Sequence, residues 1–433
     1  MRSYFNFELY KTNFQTEVLA GIATFLATAY IIVVNPSILS KTGMPFNAVL
    51  TATVIVCFFS SLLMGLYAKN PIVVAPGMGL NAFFTYTAVL GMGVPWQTAL
   101  GAVFWSGILF LLLSFFNIRT YIVKAIPKPL RYAIAAGIGL FITLIGLVNG
   151  GFVTKNDATI ISYAPLSSSL VIFVIGLFLT AILLVKKVKG AIIIGIIGTT
   201  ILAAGIGRWW NEGSTVVNFN GVFAVPDFSL VGKLDLWGSL KLSVLPVIFA
   251  FVFTDLFDSL STLVGVSEAG NLLDENGDPR NIRKALITDS MATLIAGIAG
   301  SSPGTAYIES AVGVEQGGRT GLTAVVASLL FLPFLFLAPL LSMIPSIATA
   351  TALVLVGAFM MRPVAKINWQ QSDEAIPAFI AMTAIPFTYS ITQGIIWGFL
   401  SWTVIKLVAG KRKEVPLTLL VIDAFCIMAL VLG

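Results

Sequence analysis

The sequence predicts an all-α polytopic membrane protein, and three features carry that reading. The 433 residues are 58% hydrophobic and only 10% charged, with a mean hydropathy of +0.97, whereas ordinary globular domains carry about 25% charged residues. Apolar stretches at or near the roughly 18 residues needed to span a bilayer recur along the whole length. These runs are continuous rather than short and alternating, which excludes a closed barrel and leaves helices, because in lipid every backbone polar group must be paired.

Taken in order, spans are predicted over 18–38, 47–67, 99–116, 131–149, 168–185 and 190–206. A wetter stretch follows over about 207–241, and spans resume over 243–266, 285–300, 320–343, 346–361, 376–408 and 415–432. Residues 71–90 (PIVVAPGMGLNAFFTYTAVL) and 301–316 (SSPGTAYIESAVGVEQ) differ from the rest: each is short and interrupted by Pro and Gly, so each supplies a half-helix after an extended stretch. They stand third in each half of the chain. Paired broken helices in two halves predict an inverted-repeat transporter with its site near the midplane. The expected organisation is about fourteen segments, seven plus seven: a first repeat over 1–206, a connecting loop over 207–242 and a second repeat over 243–433. The halves share little direct sequence beyond a Pro-Gly pair opening each broken segment.

Net charge is +6, but Lys and Arg gather in short loops between spans with no aromatic-interleaved stripe, so nucleic acid is not an expected partner. The positive-inside rule explains the clusters. Arg119, Lys124, Lys128 and Arg131 precede the fifth span, and Lys186, Lys187 and Lys189 follow the sixth. Two spans separate them, which places both, and the N-terminus, on the cytoplasmic side. The loop carrying Asp274, Glu275, Asp278, Arg280, Arg283 and Lys284 falls there too. Lys411-Arg412-Lys413 joins them if 376–408 is a hairpin turning near Ser390-Ile391-Thr392. The polar N-terminal stretch lacks the short apolar core of a signal peptide. Cys57 and Cys426 lie in apolar segments and there is no histidine, so neither a disulfide framework nor a His-based metal site is expected, and no metal or cofactor is predicted.

Three carboxylates stand inside apolar stretches: Asp255 and Asp258 in VIFAFVFTDLFDSLSTLVGV, and Glu309 in GSSPGTAYIESAVGV. An acid near the centre of a membrane helix costs about 2.5–3.5 kcal/mol on insertion scales and is kept where it handles an ion, a proton or a solute. At roughly 100° per residue, Asp255, Asp258, Thr262 and Gly265 form one stripe on an otherwise apolar helix. Glu309 falls near the start of a half-helix, whose positive end favours an acid. Pro76-Gly77-Met78-Gly79-Leu80-Asn81 and Ser302-Pro303-Gly304-Thr305-Ala306-Tyr307 suit extended backbone whose amides and carbonyls a solute can use. Glycine pairs such as Gly137/Gly139 and Gly297/Gly300 read as close helix packing. No Arg or Lys is expected within the membrane interiors, which disfavours a strongly anionic solute. A neutral flat molecule rich in N–H donors and a cation fit equally well. Without His, a metal cluster or a nucleophile–base pair, an enzyme is not expected.

The stretches GIATFLATAYIIVVNPSIL, VVAPGMGLNAFF, KPLRYAIAAGIGLFI, FTDLFDSLSTLVGV and GTAYIESAVGVEQGGRTGLTA, five motifs in order over nearly the whole chain, resemble the AzgA-like purine permeases, members of the nucleobase:cation symporters. The resemblance implies the fold of the uracil and xanthine permeases, with core and gate domains, and proton-coupled import of hypoxanthine, guanine or adenine. It further implies a multi-pass protein of the inner (plasma) membrane, in contact with lipid and assembled as a homodimer. Asp258 in FDSLSTL and Glu309 in AYIES look like the two acids that hold the purine in that family. Asn81 with Gly79 matches the polar position on the first broken segment, and Ala306 belongs to the second. Asp255 lies on the same stripe. Phe83, Phe249 and Phe253 are candidates to stack on the base. Related uracil permeases carry a histidine one turn beyond the first acid, where this chain has Thr262, a departure that fits a purine permease. Apolar surroundings favour a neutral Asp258 and a helix start favours an ionised Glu309. The coupled proton is therefore assigned to Asp258, with Glu309 and Asp255 as further coupling candidates, and acceptance of ring N–H groups to Glu309. The alternative is a cation or amine transporter of the same fold using the same acids.

Overall fold

The computed structural model describes residues 3–116, 126–156, 159–210, 217, 221–270, 272–273 and 279–432. Of the charged residues used above to orient the chain, Arg119, Lys124, Asp274, Glu275 and Asp278 lie outside them.

The first predicted span is two helices, Phe14–Thr28 (α1) and Ile31–Leu39 (α2), parted at Ala29–Tyr30. Pro36 inside α2 has no N–H for the carbonyl four residues back and crowds it, and the continuous helix is lost just upstream. Phe46–Leu63 (α3) ends in a π-helical turn, Met64–Ala68. The first broken segment is a strand, Val74–Pro76 (β1), then Met78–Ala82 (α4) continuing as π-helix over Phe83–Gly91. Trp96–Phe115 (α5), Lys128–Asn149 (α6), Ser168–Val185 (α7) and Ala191–Trp210 (α8) complete the half. An exposed hairpin, Val153–Asn156 (β2) against Ile160–Tyr163 (β3), joins α6 to α7 and was not expected from sequence.

The second half opens with Leu245–Gly270 (α9) and Ile282–Ala299 (α10). Its broken segment is Gly304–Ala306 (β4), one 3₁₀ turn over Ile308–Ser310, and Ala311–Glu315 (α11). Gly321–Phe331 (α12) passes through a 3₁₀ stretch containing Pro333 into Ala338–Ser342 (α13), so the predicted 320–343 span is not one helix. Ser346–Met360 (α14), Ser372–Thr388 (α15), Ile391–Val408 (α16) and Leu417–Leu432 (α17) follow. The 376–408 run is a hairpin as expected, with Ser390 capping α16 by accepting from Gln393 N at 3.4 Å. Among the described residues, eight helices are long and apolar enough to cross a membrane.

One expectation is qualified here. Lys406 lies in the last turn of α16 with no exposed surface, so the cation is buried at the helix end. It is neutralised locally: its Nζ is 2.6 Å from both Asp373 Oδ2 and Glu414 Oε2, and 4.6 Å from the centroid of the Trp402 ring. Lys411 reaches the same Asp373 carboxylate at 2.7 Å, which ties the start of α15 to the end of α16.

Helix packing falls into two groups that cut across the two halves. One joins α6, α7 and α8 to α14, α15 and α16; the other joins α1–α5 to α9–α12. Each contains a place where two backbones meet without side chains between them. A Cβ on Gly65 would come within 2.5 Å of the Gly321 carbonyl oxygen, and one on Gly139 within 2.7 Å of the Gly357 oxygen. Small residues allow this approach, which supplies packing that lipid cannot. Gly321→Ala and Gly139→Ala are therefore expected to lower the thermal unfolding midpoint in detergent by several degrees. Gly205→Ala, where nothing lies within 4 Å, should leave it unchanged; equal losses at all three positions would contradict this packing account.

Candidate functional site

The two broken segments meet. β1 and β4 pair antiparallel in the register Val74↔Ala306, Ala75↔Thr305 and Pro76↔Gly304, and all six residues are buried. The Pro-Gly pairs that are the only direct likeness between the halves face each other across this crossing. Gly77 N–H donates to Pro303 O at 3.0 Å and Tyr307 N–H to Val73 O at 2.9 Å. Prolines cannot extend the ladder, so pairing is brief and each chain turns directly into its half-helix. The backbone groups left over are met by side chains. Ser61 Oγ accepts from Val74 N–H and donates to Val74 O, both at 3.0 Å, while Ser310 Oγ accepts from Val73 N–H at 3.0 Å. The Tyr307 hydroxyl donates to Pro76 O at 2.5 Å.

α9 lays its polar stripe against this crossing. Asp258 is half-buried and makes no side-chain hydrogen bond among the described residues. A Cβ on Gly77 would lie 3.5 Å from Asp258 Oδ2, so the turn out of β1 passes close to this acid. Its charged neighbours are Asp289 and Glu309. Glu309, also half-buried, sits in the first turn after β4 and accepts from the Tyr30 hydroxyl on Oε1 at 2.6 Å. Gly265, at the end of the stripe, faces Ile308 beside Glu309.

Asp255 is placed differently. It is fully buried and belongs to a cluster behind the crossing, accepting from Ser259 Oγ at 3.1 Å and from Thr293 Oγ1 at 2.9 Å. Ser259 also stands 2.5 Å from Asp289 Oδ2 and 2.9 Å from Thr305 Oγ1, and Asp289 Oδ1 accepts from Ala306 N–H at 3.2 Å. Asp289 therefore links α10 to β4. Sequence reasoning missed it, although a lone acid in the predicted 285–300 span meets the criterion that singled out Asp255.

A third broken element was also missed. The α1–α2 break brings Tyr30 to Glu309. Asn35 Nδ2 donates to Thr53 Oγ1 at 2.8 Å and to Ser301 Oγ at 3.0 Å. The Ser302 hydroxyl donates to Asn81 Oδ1. The signal available was an Asn-Pro pair inside an apolar run. Asn81 is thus at the crossing, wholly buried, and bonded to the opposite broken segment. Ala306 is in β4, and Phe83 is buried edge-on to Phe251 with ring centroids 4.9 Å apart.

Three candidates, Gly79, Phe249 and Phe253, face away from the acids. Gly79 faces Ile138 of α6, where a Cβ would meet Cγ2 at 2.6 Å. Phe253 lies about 140° around α9 from Asp258 at roughly 100° per residue. With Phe249 it lines an apolar cavity of about 460 Å³ against α5 and α17.

The two aspartates of the stripe should therefore respond oppositely to truncation. Asp255→Ala removes the acceptor that ties Ser259 of α9 to Thr293 of α10 and leaves a void in a fully buried cluster, at about 1–3 kcal/mol, and should lower the unfolding midpoint by several degrees. Asp258→Ala removes an acid that bonds no side chain among the described residues and should leave the midpoint unchanged or higher. Equal destabilisation by both would contradict the assignment.

Comparison with known proteins shows the family and the fold. A model described as "Permease family" (Xan_ur_permease) matches residues 15–396. The chain is 42% identical over 423 residues to the adenine permease AdeP of Escherichia coli (strain K12), covering 97% of this chain and 93% of that protein. It is 38% identical over 437 residues to the guanine/hypoxanthine permease PbuO of Bacillus subtilis (strain 168), covering 99% and 100%. Among solved structures, the transmembrane domain of the cyanobacterium bicarbonate transporter BicA aligns with a TM-score of 0.65 at 14% identity, over 90% of this chain and 97% of that one. That likeness concerns the fold alone.

Proposed function

This chain belongs to the permease family, a multi-pass membrane transporter and not an enzyme, and on that premise we propose that it imports purine nucleobases by proton symport. The substrates are hypoxanthine, guanine or adenine. The observation that carries this reading is the near-full-length similarity to relatives named for adenine and for guanine and hypoxanthine. The site chemistry is consistent with it. Two half-buried acids flank a crossing of unwound backbone, and the buried cation, Lys406, is already paired with Asp373 and Glu414. A neutral, planar donor-rich ring suits such a site better than an anion does.

In this reading Glu309 accepts a ring N–H of the purine. Asp258, with no hydrogen-bonding side chain of its own among the described residues, takes the coupled proton. Proton and purine together leave Asp258 neutral and the site filled, with the remaining Glu309 charge met by the Tyr30 hydroxyl and the ring N–H, the state best able to cross a low-dielectric interior. Asp255 acts from behind, through Ser259 and β4. Asn81 and Ala306 hold the crossing in register, and Phe83 walls it.

The architecture we assign is an inverted repeat with segments 1–206 and 243–433 joined by 207–242. The group containing α9 and both broken segments forms the core, and the group containing α6 and α14 forms the gate. Residues 14–210 hold seven segments. From residue 245, seven more reach Val408 among the described residues, and Leu417–Leu432 closes the second segment as a further helix. We place the protein in the inner (plasma) membrane as a homodimer, with a cytoplasmic N-terminus.

Uptake of labelled hypoxanthine into proteoliposomes under an inward proton gradient tests the proposal. Accumulation should collapse with an uncoupler and be competed by guanine or adenine more than by uracil. Asp258→Asn and Glu309→Gln should each reduce it at least a hundredfold. Purine uptake indifferent to the proton gradient would contradict the symport. Inhibition by organic amines but not by purines would point instead to a cation carrier.

A further inference from the structure

Tyr30 holds one oxygen of the acid to which purine binding is assigned. Its ring is 1% exposed, so it is fixed by packing rather than by solvent, and its hydroxyl donates to Glu309 Oε1 at 2.6 Å. No other side chain among the described residues donates to Glu309. The ring is pinned in the α1–α2 break and lies 6.4 Å from that of Tyr307, whose hydroxyl is bonded to Pro76 O. One carboxylate oxygen therefore already accepts from a rigid donor.

A free carboxylate can accept two parallel N–H bonds, one on each oxygen. That is the pattern offered by the adjacent N1–H and 2-amino group of guanine. Hypoxanthine offers N1–H alone on the same edge. We infer that Tyr30 is a specificity-determining positioning residue that engages one oxygen of Glu309, leaves it a weaker acceptor, and so lowers what 2-aminopurines gain from a second hydrogen bond. This rests on the purine reading of the site.

Competition against hypoxanthine uptake tests it. In the unaltered protein guanine should compete no more than about threefold better than unlabelled hypoxanthine. In Tyr30→Phe, which keeps the ring and frees the oxygen, the guanine-to-hypoxanthine preference should rise roughly tenfold, the worth of one hydrogen bond to a charged group. An unaltered protein that already favours guanine tenfold or more overturns the inference without any variant. A Tyr30→Phe protein that loses both purines equally also overturns it and leaves Tyr30 as scaffold. Each of these results leaves the purine reading standing. An unaltered protein that takes up no purine overturns both.

Discussion

The rest of the structure depends on six residues of extended chain crossing where lipid would otherwise demand helix. Unwound backbone at that depth survives only if each polar group is paired, and β1 and β4 pair each other. Serine and tyrosine side chains from α3 and from the broken segments themselves supply the remaining bonds. Everything functional is arranged around this short ladder. Because each strand turns at once into a half-helix, Glu309 is delivered in a first turn, and the missing Cβ of Gly77 lets Thr305 of the opposite strand pack against the turn beside Asp258. Because the strands come from different halves of the chain, closing the ladder also fixes one half against the other.

Two acids one turn apart on α9 illustrate how location decides role. Asp255 faces inward, to hydroxyls of α9 and α10, and acts as part of the scaffold. Asp258 faces the turn out of β1 and is left without such partners. In the proposed function its partner is a ligand or proton that arrives later. Asp289 extends the scaffold by bonding both Ser259 and the backbone of Ala306, so the position of β4 is set by α10 as well as by β1.

Much of this was legible from residues alone. The helices follow the apolar runs closely because span length and lipid exposure are dictated by composition. The Pro-Gly pairs announced both broken segments, and the charge clusters required the α15–α16 hairpin. What could not be read is lateral: that the two Pro-Gly pairs face one another, or that Gly79 turns toward α6 and Phe253 toward α17. Helical angle separates faces of α9 but does not say which neighbour each face meets. The break at Tyr30 escaped notice because α1 and α2 form one unbroken apolar run in sequence, and the buried Lys406 because its counter-charges, Asp373 and Glu414, are supplied by residues 33 positions before it and 8 after it.

The central claim is that purine and proton meet at the β1–β4 crossing and that Asp258 holds the proton. Proton uptake on purine binding, followed with a pH indicator in weakly buffered detergent solution of the purified protein, tests this most directly. The account predicts about one proton taken up per hypoxanthine bound by the unaltered protein, and binding without proton uptake by Asp258→Asn. Undiminished proton uptake by Asp258→Asn, or purine binding by the unaltered protein with no proton uptake between pH 6 and 8, would contradict it.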